Sequence, residues 1–441
     1  MNIRKTGLPV LISVSLLLAS AARMTARTPA VDLKTGQKID EEVEKNRSEV
    51  IKIRRFLHMN PELSNREVET ARQVAAKLES LGLEVKTGIA GNGVVGILRG
   101  SQPGPSVAVR ADMDALPIQE QTNLPYKSLN PGVMHACGHD FHTSIALGAA
   151  MVMSTLKDRL RGTVSFIFQP AEEGPPPGEE GGADLMIREG VLELTRANAI
   201  FALHVWPENV GTVLVASGNV TASSDWFRVT VKGRSAHGAR PHEGVDAIVI
   251  ASEVIMMLQT IISRSVEPTD PAVLTVGVIN GGTKENIIAD RVVFEGTVRA
   301  LSDANRKKIP ALMEAVVKKV TEAAEATYQF EYKPYTPSVY NHPELVASMT
   351  PTLTRLLGKD RVLEWKPQMI AEDFAFFSQR IPAFYFFLGV KSPSQPVAAP
   401  LHSPNFNPDE RAIPIGIKAL CHLIIDALDQ QNQLAYADRV Y

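Results

Sequence analysis

The segment 163-TVSFIFQPAEE-173 is an apolar strand pattern that runs directly into two neighbouring carboxylates, Glu172 and Glu173. Similar apolar runs, 106-SVAVRADMDAL-116 and 199-AIFALHVWP-207, precede and follow it, with helical patterns between them. Apolar strands that alternate with helices are typical of an α/β layer whose mainly parallel sheet is buried on both faces. Because such sheets bind ligands at the carboxyl ends of their strands, the segment predicts both the fold class and the place of a site.

A different pattern, β-α-β-β-α-β, occupies residues 222–335. This is the element order of a ferredoxin-like α+β unit, and its length suits an inserted domain. We therefore predict an α/β domain in two parts, 41–221 and 336–441, which the smaller domain interrupts. A cleft between two such domains is a natural place for a small ligand.

The first 24 residues, 1–24, predict a signal peptide. Arg4 and Lys5 precede an apolar run, 8–22, which ends in the small residues ASAA. The run is shorter than the roughly 20 apolar residues of a membrane span, so no stable membrane anchor is expected; an uncleaved anchor is the alternative. Residues 25–40 are interpreted as a linker, and the chain is expected to be exported, either periplasmic or secreted.

Composition limits which binding partners and which roles of the cysteines are expected. The 441 residues include 46 Lys and Arg against 48 Asp and Glu, so the formal net charge of −2 gives no field that would draw the chain to nucleic acid. There are two cysteines, Cys137 and Cys421. Cys421 lies in the apolar helical stretch 413–430 and is interpreted as a buried apolar residue, with a disulfide between the two cysteines as the alternative.

Potential metal donors are crowded in 133-VMHACGHDFHTS-144, where three histidines and one cysteine lie within eight residues. Cys137 and His139 are two residues apart, so an extended backbone points both side chains to the same side. His135 shares this parity and stays a candidate, whereas His142 opens the following helix and is interpreted as a cap or packing residue; with the family resemblance given below, both are interpreted as support. The stretch therefore predicts part of a metal site, because thiolates and imidazoles are metal ligands.

Further donors stand at strand ends and in loops. Of the pair Glu172 and Glu173, one carboxylate is expected to bind metal while the other faces the substrate water; a solvated acidic turn is the alternative. His204 lies inside an apolar strand, where an unpaired imidazole would be costly, and His402 lies in a loop before a helix. His237, in the inserted domain, is either an oxyanion stabiliser or a surface-loop histidine.

Taken together, these segments resemble one family. The matching runs follow in the order 57-LHMNPELS, 109-VRADMDALPI, 135-HACGHDFHT, 168-FQPAEEG, 203-LHVWP, 236-AHGARPHEGVDAI, 372-EDFA and 402-HSPNF. They are similar to the dimetal aminoacylase/carboxypeptidase metallohydrolases, in particular to the amidohydrolase branch with its bacterial hippurate hydrolases and plant indoleacetyl-amino-acid hydrolases. The resemblance covers nearly everything after about residue 45, and its most specific part is CGHD combined with QPAEE.

The resemblance implies a metallopeptidase-type α/β domain, an inserted ferredoxin-like domain and a dinuclear metal site. Zinc or manganese is expected, with cobalt or nickel as alternatives. Five side chains match the family's metal ligands: Cys137, His139, Glu173, His204 and His402. The inserted domain would also carry the contacts of a homodimer.

Other matching positions imply roles around the metals. Glu172 would be the general base, and His237 would help to stabilise the tetrahedral intermediate. Asn286 would bind substrate or oxyanion, and Asp114 would orient a metal ligand. Arg240 suggests a contact to a substrate carboxylate.

The expected function is metal-dependent hydrolysis of the amide bond in N-acyl amino acids or dipeptide-like substrates. Three alternatives stay open: an exported dipeptidase or carboxypeptidase of the same family, a non-catalytic carrier of metal or amino acid, and a thiol hydrolase with Cys137 as nucleophile. The sequence departs from the family pattern at Asn60, Ala289 and Ile370. These departures touch no expected ligand but leave the substrate preference open.

Overall fold

The computed structural model describes residues 31–394, 397 and 399–430. The segment expected to be a signal peptide, 1–24, lies outside the described residues and stays a prediction. Helix α1 (Leu33–Met59) begins inside the segment that the sequence assigned to a linker. The Asp32 carboxylate caps this helix by accepting two backbone N–H groups of its first turn, and Ile39 is buried. Residues 33–40 are therefore part of a packed helix.

The described residues alternate between helices and strands as the sequence predicted. The first part of the α/β domain contains α1 (Leu33–Met59), α2 (Val68–Ser80), β1 (Glu84–Ile89), β2 (Gly93–Arg99), β3 (Gln102–Asp112), α3 (His139–Thr155), β4 (Arg161–Gln169), α4 (Gly182–Arg188), α5 (Val191–Thr195), β5 (Ala199–Asn209), β6 (Val213–Val215) and β7 (Gly218–Asn219). The inserted domain contains β8 (Ser224–Lys232), α6 (Ala247–Arg264), β9 (Ala272–Gly281), β10 (Arg291–Ala300), α7 (Asp303–Ala323) and β11 (Thr327–Thr336). The second part contains β12 (Tyr340–Asn341), α8 (Pro343–Leu357), β13 (Val362–Glu364), α9 (Ala375–Ser378), β14 (Ala383–Lys391) and α10 (Ala412–Gln430).

The large sheet has eight strands in the order β1-β2-β4-β3-β5-β14-β6-β13. Its centre, β4-β3-β5-β14, is parallel, whereas β2 and β6 join this centre in antiparallel pairs and β1 pairs antiparallel with β2. Successive residues of a strand point to opposite faces, so Phe166 and Phe168 enter one core while Ile167 enters the other. Helices α1, α3 and α10 supply the first core, and α4, α5 and α9 supply the second. The predicted mainly parallel sheet, buried on both faces, is confirmed.

The inserted domain has its own sheet and its own core. Its four strands pair antiparallel in the order β11-β8-β10-β9, which is the ferredoxin-like arrangement that the β-α-β-β-α-β pattern predicted. Helices α6 and α7 pack on this sheet. The Asp225 carboxylate, buried at the start of β8, pairs with Arg306 at 2.7 Å and accepts the hydroxyl of Tyr332 at 2.9 Å and the backbone N–H of Tyr335 at 3.1 Å. These contacts tie together the two points where the chain enters and leaves the domain.

One surface of the inserted domain is apolar. Val249 and Met256 of α6 and Val278 and Ile279 of the edge strand β9 are each at least half exposed. Within the described residues, α6 is also the one helix long and apolar enough, by length and composition, to cross a membrane. Its opposite side packs on the inserted sheet, so its buried apolar side chains belong to the domain core.

Candidate active site

The residues expected in the site converge at the carboxyl edge of the parallel strands. Strand β3 ends just before Asp114, and β4 ends just before the pair Glu172–Glu173. His204 lies in β5, and His139 is the first residue of α3. The loop after β14 brings His402 to the same place, 3.3 Å from Cys137.

Cys137 lies at the centre of the cluster. Its Sγ is 3.3 Å from His204 Nε2 and 3.3 Å from His402 Nε2. His402 Nε2 is in turn 3.2 Å from Glu173 Oε1. Three kinds of metal donor, a thiol, imidazoles and a carboxylate, thus meet at one point although they are far apart in sequence.

The turn that carries Cys137 and His139 depends on the glycine between them. Gly138 has a φ of +89°, and a Cβ on it would lie 2.4 Å from a methyl group of Val205 in β5. Both the backbone conformation and the close approach therefore require glycine.

The hydrogen-bond partners of His139 and His204 differ from those of His142. Nδ1 of His139 is 3.2 Å from the Asp114 carboxylate, and Nδ1 of His204 is 2.6 Å from a backbone carbonyl. Each ring therefore donates from Nδ1 and keeps the Nε2 lone pair for the site. His142 differs because its Nδ1 contacts Asp112 at 2.6 Å while its Nε2 accepts a backbone N–H at 2.9 Å. With both nitrogens engaged, His142 supports the wall of the site.

Asp114 joins the two halves of the cluster. Its Oδ1 faces His139 Nδ1, and its Oδ2 accepts the backbone N–H of Glu173 at 3.0 Å and the hydroxyl of Ser64 at 2.7 Å. Burial favours the protonated form of Asp114, but these contacts outweigh it and lower the pKa of its carboxyl below the usual value. The ionised carboxylate can therefore orient both His139 and Glu173.

The donor set fits two metal ions. Two groups of three donors, whose donor atoms lie within 4.8 Å of one another, share Cys137. One group adds His139 and His204, and the other adds Glu173 and His402. Nε2 of His139 is buried without a hydrogen-bond partner among the described residues, a deficit that a metal ion would satisfy. A shared thiolate is a soft donor able to serve both ions.

Glu172 faces the cluster without being one of its central donors. Its Oε2 is 3.9 Å from His139 Nε2, and its Oε1 accepts the backbone N–H of Asp373 at 3.3 Å. Burial, followed by the charges of Glu372 and Glu173, raises the pKa of Glu172 well above that of an ordinary glutamate. A carboxylate with a raised pKa beside a metal site is suited to accept a proton.

A cleft of about 970 Å³ opens beside the cluster, between the two domains. The inserted domain lines it with Ser224, Arg299, Tyr335 and Thr336. The α/β domain lines it with Glu172, Glu173, His402, the prolines 175–177 and the apolar side chains of Met369, Ile370 and Phe376. The cleft therefore has a charged part next to the donor cluster and an apolar part.

The family model described as peptidase family M20/M25/M40 matches residues 108–426, a range that contains all five expected metal ligands. The chain belongs to this family.

Relatives of this M20 protein include hydrolases of substituted amino acids. It is 40% identical over 373 residues to the IAA-amino acid hydrolase ILR1-like 4 of Arabidopsis thaliana. This alignment covers 83% of each of the two proteins. It is 38% identical over 366 residues to the N-acetyl-L-cysteine deacetylase of Bacillus subtilis, which covers 83% of this chain and 85% of the relative. The crystal structure of the Bacillus subtilis YXEP protein, described as a dinuclear metal binding peptidase from the M20 family, is similar with a TM-score of 0.76 and 34% identity, over 88% of this chain and 99% of that one. The prediction of a metal-dependent amidohydrolase is confirmed.

Three expected site residues of the M20 chain lie apart from the donor cluster. His237, Arg240 and Asn286 occupy exposed loops of the inserted domain, where the backbone N–H of Gly238 donates to the carbonyl of Asn286 at 2.8 Å. Arg240 pairs with Glu243 at 3.1 Å, and 64% of its side chain is exposed. None of the three lines the cleft. Local sequence indicated their chemistry but carries no information about their distance from the sheet edge.

Sequence reasoning missed a cation of the cleft. The side chain of Arg299 is half-buried in β10, and no hydrogen bond or ion pair joins its guanidinium to another described residue. Burial lowers the pKa of its guanidinium. The signal was faint, because Arg299 stands in an alternating strand where an exposed arginine is equally expected.

The two cysteines offer a direct test of metal ligation. Cys137 in the metal-loaded protein should resist iodoacetamide and become alkylated after a chelator is added, because a metal-bound thiolate is protected. Cys421 is fully buried in α10 and should stay unmodified in both samples. Peptide mass spectrometry measures both sites. Rapid alkylation of Cys137 with metal present would indicate a free thiol nucleophile instead.

Proposed function

We propose that this M20 protein hydrolyses the amide bond of N-acyl amino acids, with Glu172 as the general base. The observation that carries the proposal is the position of Glu172, between the five-donor cluster and the cleft. A carrier of metal or amino acid needs the five donors but not this additional carboxylate. Its presence therefore favours catalysis over the carrier alternative.

The proposed reaction needs an activated water and a polarised carbonyl. Two divalent ions held by the five donors would supply Lewis acidity to both. Glu172 accepts a proton from the attacking water and passes it to the nitrogen of the leaving amine, so the scissile C–N bond breaks without a covalent intermediate on the protein. Asp114 keeps His139 and Glu173 in place throughout. The thiolate favours zinc as the ion, with manganese, cobalt and nickel as alternatives.

The cleft also indicates the substrate's charge. An unpaired, half-buried guanidinium is costly unless an anion meets it, and Arg299 lines the cleft that the substrate must enter. We propose that Arg299 binds the carboxylate of the amino-acid part. This role replaces the one expected for Arg240, which is already paired with Glu243. Met369, Ile370 and Phe376 give the acyl part an apolar wall.

Glu172→Ala tests the base directly. Its kcat on N-acetyl and N-benzoyl amino acids should fall about 10²–10⁴-fold, because proton transfer is lost, while the metal content stays at that of the wild type. Steady-state kinetics and elemental analysis of the purified protein measure the two quantities. Glu180→Ala in the same exposed loop is the matched control and should leave kcat unchanged. Turnover of Glu172→Ala at the wild-type rate would rule out the assignment.

Arg299→Ala should raise KM for N-acyl amino acids about tenfold or more and leave kcat nearly constant, because the contact binds substrate and transition state equally. For a substrate in which a neutral amide replaces the carboxylate, KM and kcat of Arg299→Ala should equal those of the wild type. Arg240→Ala serves as the comparison and should change neither parameter. An equal loss on charged and neutral substrates would contradict the carboxylate contact.

We further propose a homodimer through the inserted domain. The strand β9 is an unpaired sheet edge, and apolar side chains of β9 and α6 are exposed beside it. Such an edge is normally paired or covered. The loop of Asn286 follows directly after β9 in the chain, and an isolated bridge between His237 and Ile287 joins the loop of His237 to it. We propose that His237 completes the site of the partner copy by donating to the oxyanion.

A mixing experiment tests this arrangement. The Glu172→Ala and His237→Ala proteins, each weakly active alone, are mixed and partly unfolded so that the two kinds of subunit exchange between dimers. Activity should recover to about a quarter of the wild-type value, because half of the dimers are mixed and each mixed dimer has one complete site. His242→Ala, another exposed histidine of the same loop, should need no complementation. No recovery, together with a verified dimer by light scattering, would place the action of His237 within its own chain.

A further inference from the structure

The turn before α2 departs from the use that its sequence favours. Ser64 and Glu67 have the spacing of a capping box, in which both side chains would hold the first turn of a helix. Instead α2 begins at Val68 without a side-chain cap from its N-cap residue. The Ser64 hydroxyl donates to Asp114, and the Glu67 carboxylate accepts the backbone N–H of Ala171 at 2.8 Å. Neither side chain caps the first turn of α2, and each is hydrogen-bonded to a residue of the site instead.

Glu67 is surrounded by donors. It is fully buried, its Oε1 also accepts the backbone N–H of Asn65 at 3.0 Å, and its Oε2 accepts the side-chain amide of Asn92 at 3.0 Å. Burial and the nearby charge of Asp114 raise the pKa of Glu67 to about 7. Burial of a carboxylate lowers the free energy of unfolding unless its hydrogen bonds compensate for the lost hydration. A role for these hydrogen bonds would explain why a carboxylate is kept at this position.

Ala171 supplies that explanation. It is buried between the end of β4 and Glu172, and its φ is +53°, a left-handed conformation that a Cβ disfavours. Such a conformation persists only where the surroundings hold it. Here Glu67 accepts the N–H of Ala171, and Asp114 accepts the N–H of Glu173 two residues later. The turn from 171 to 173 is thus fixed at both ends.

We propose that Glu67 is a positioning residue, which holds Ala171 in the left-handed conformation and thereby directs Glu172 toward the cleft and Glu173 toward the other metal donors. The side chains of two adjacent glutamates face two different groups only where the backbone turns between them in a defined way. The inference rests on the proposed role of Glu172 as base. Glu67 acts through the backbone and touches neither substrate nor metal.

The chain offers a matched control in the same segment. Glu62 is also a partly buried carboxylate near the start of α2, and it accepts the backbone N–H groups of Glu69 at 3.1 Å and Thr70 at 2.8 Å. Its side chain stabilises the helix, and no hydrogen bond or ion pair joins it to residues 171–173. Glu62→Ala therefore reports what loss of local stability alone does to turnover.

The experiment compares Glu67→Ala, Glu67→Gln and Glu62→Ala at full metal occupancy. Glu67→Ala should lower kcat at least about tenfold with little change in KM, because small errors in the placement of a base are costly. Glu67→Gln should stay within about twofold of the wild type, since its amide oxygen still accepts both N–H groups and Asn92 can turn its own oxygen to the new amide. Glu62→Ala should lower the melting temperature but not kcat.

A second-site change tests the backbone route itself. Glycine adopts positive φ without the steric cost of a Cβ, so adding Ala171→Gly to Glu67→Ala should restore several-fold of the lost kcat. Deuterium uptake by the metal-free protein gives a readout without activity: the peptide that contains Ala171 should exchange faster in Glu67→Ala than in the wild type or in Glu62→Ala.

The outcomes separate this inference from the proposed function. If Glu172→Ala is inactive but Glu67→Ala turns over at the wild-type rate, the base assignment stands and the positioning role is wrong. Equal losses of kcat in Glu67→Ala and Glu62→Ala, without rescue by Ala171→Gly, would also overturn it. If Glu172→Ala itself keeps its turnover, the proposed function fails, whatever Glu67→Ala does.

Discussion

The carboxylate of Asp114 is shared between two groups that approach from different strands and helices. One oxygen faces the imidazole of His139 at the start of α3, and the other accepts the backbone N–H of Glu173 after β4. A single buried anion therefore fixes the distance between an imidazole donor and a carboxylate donor. Without it, only packing would hold the imidazole and the carboxylate in place, and their donor atoms would be less well aligned for a shared metal site.

Burying this many charges requires compensation beneath the site. Arg110, fully buried in β3, pairs with Asp112 at 2.7 Å, Asp373 at 2.9 Å and Glu372 at 3.0 Å. Asp112 in turn holds His142, and Asp373 donates its backbone N–H to Glu172. One guanidinium thus stabilises anions that reach the base on one side and a supporting histidine on the other. The layer of residues directly beneath the site therefore consists of paired charges rather than of apolar side chains.

Sequence predicted those parts of the protein that leave a local pattern. Apolar strands that alternate with helical patterns predicted the mainly parallel sheet, and the order β-α-β-β-α-β predicted the inserted ferredoxin-like unit. The crowded donors of 133–144 together with the family resemblance predicted the cluster around Cys137. Glu67 was missed because its capping-box spacing already offered an ordinary explanation. Arg299 was missed because the shape of a cleft depends on how two domains pack, which no short segment encodes. The start of α1 was placed too late because Asp32 caps a helix whose first turns are polar.

The separation of Cys137 and His402 by 265 residues has a consequence for the order of events during synthesis. The inserted domain, with a core of its own, lies between these two donors in the chain and can fold before the last donor has left the ribosome. The central thiol therefore has an incomplete set of neighbours until almost the whole polypeptide is available. A complete donor set therefore requires both halves of the interrupted domain to pack together, and any metal that needs all five donors would bind only after that step.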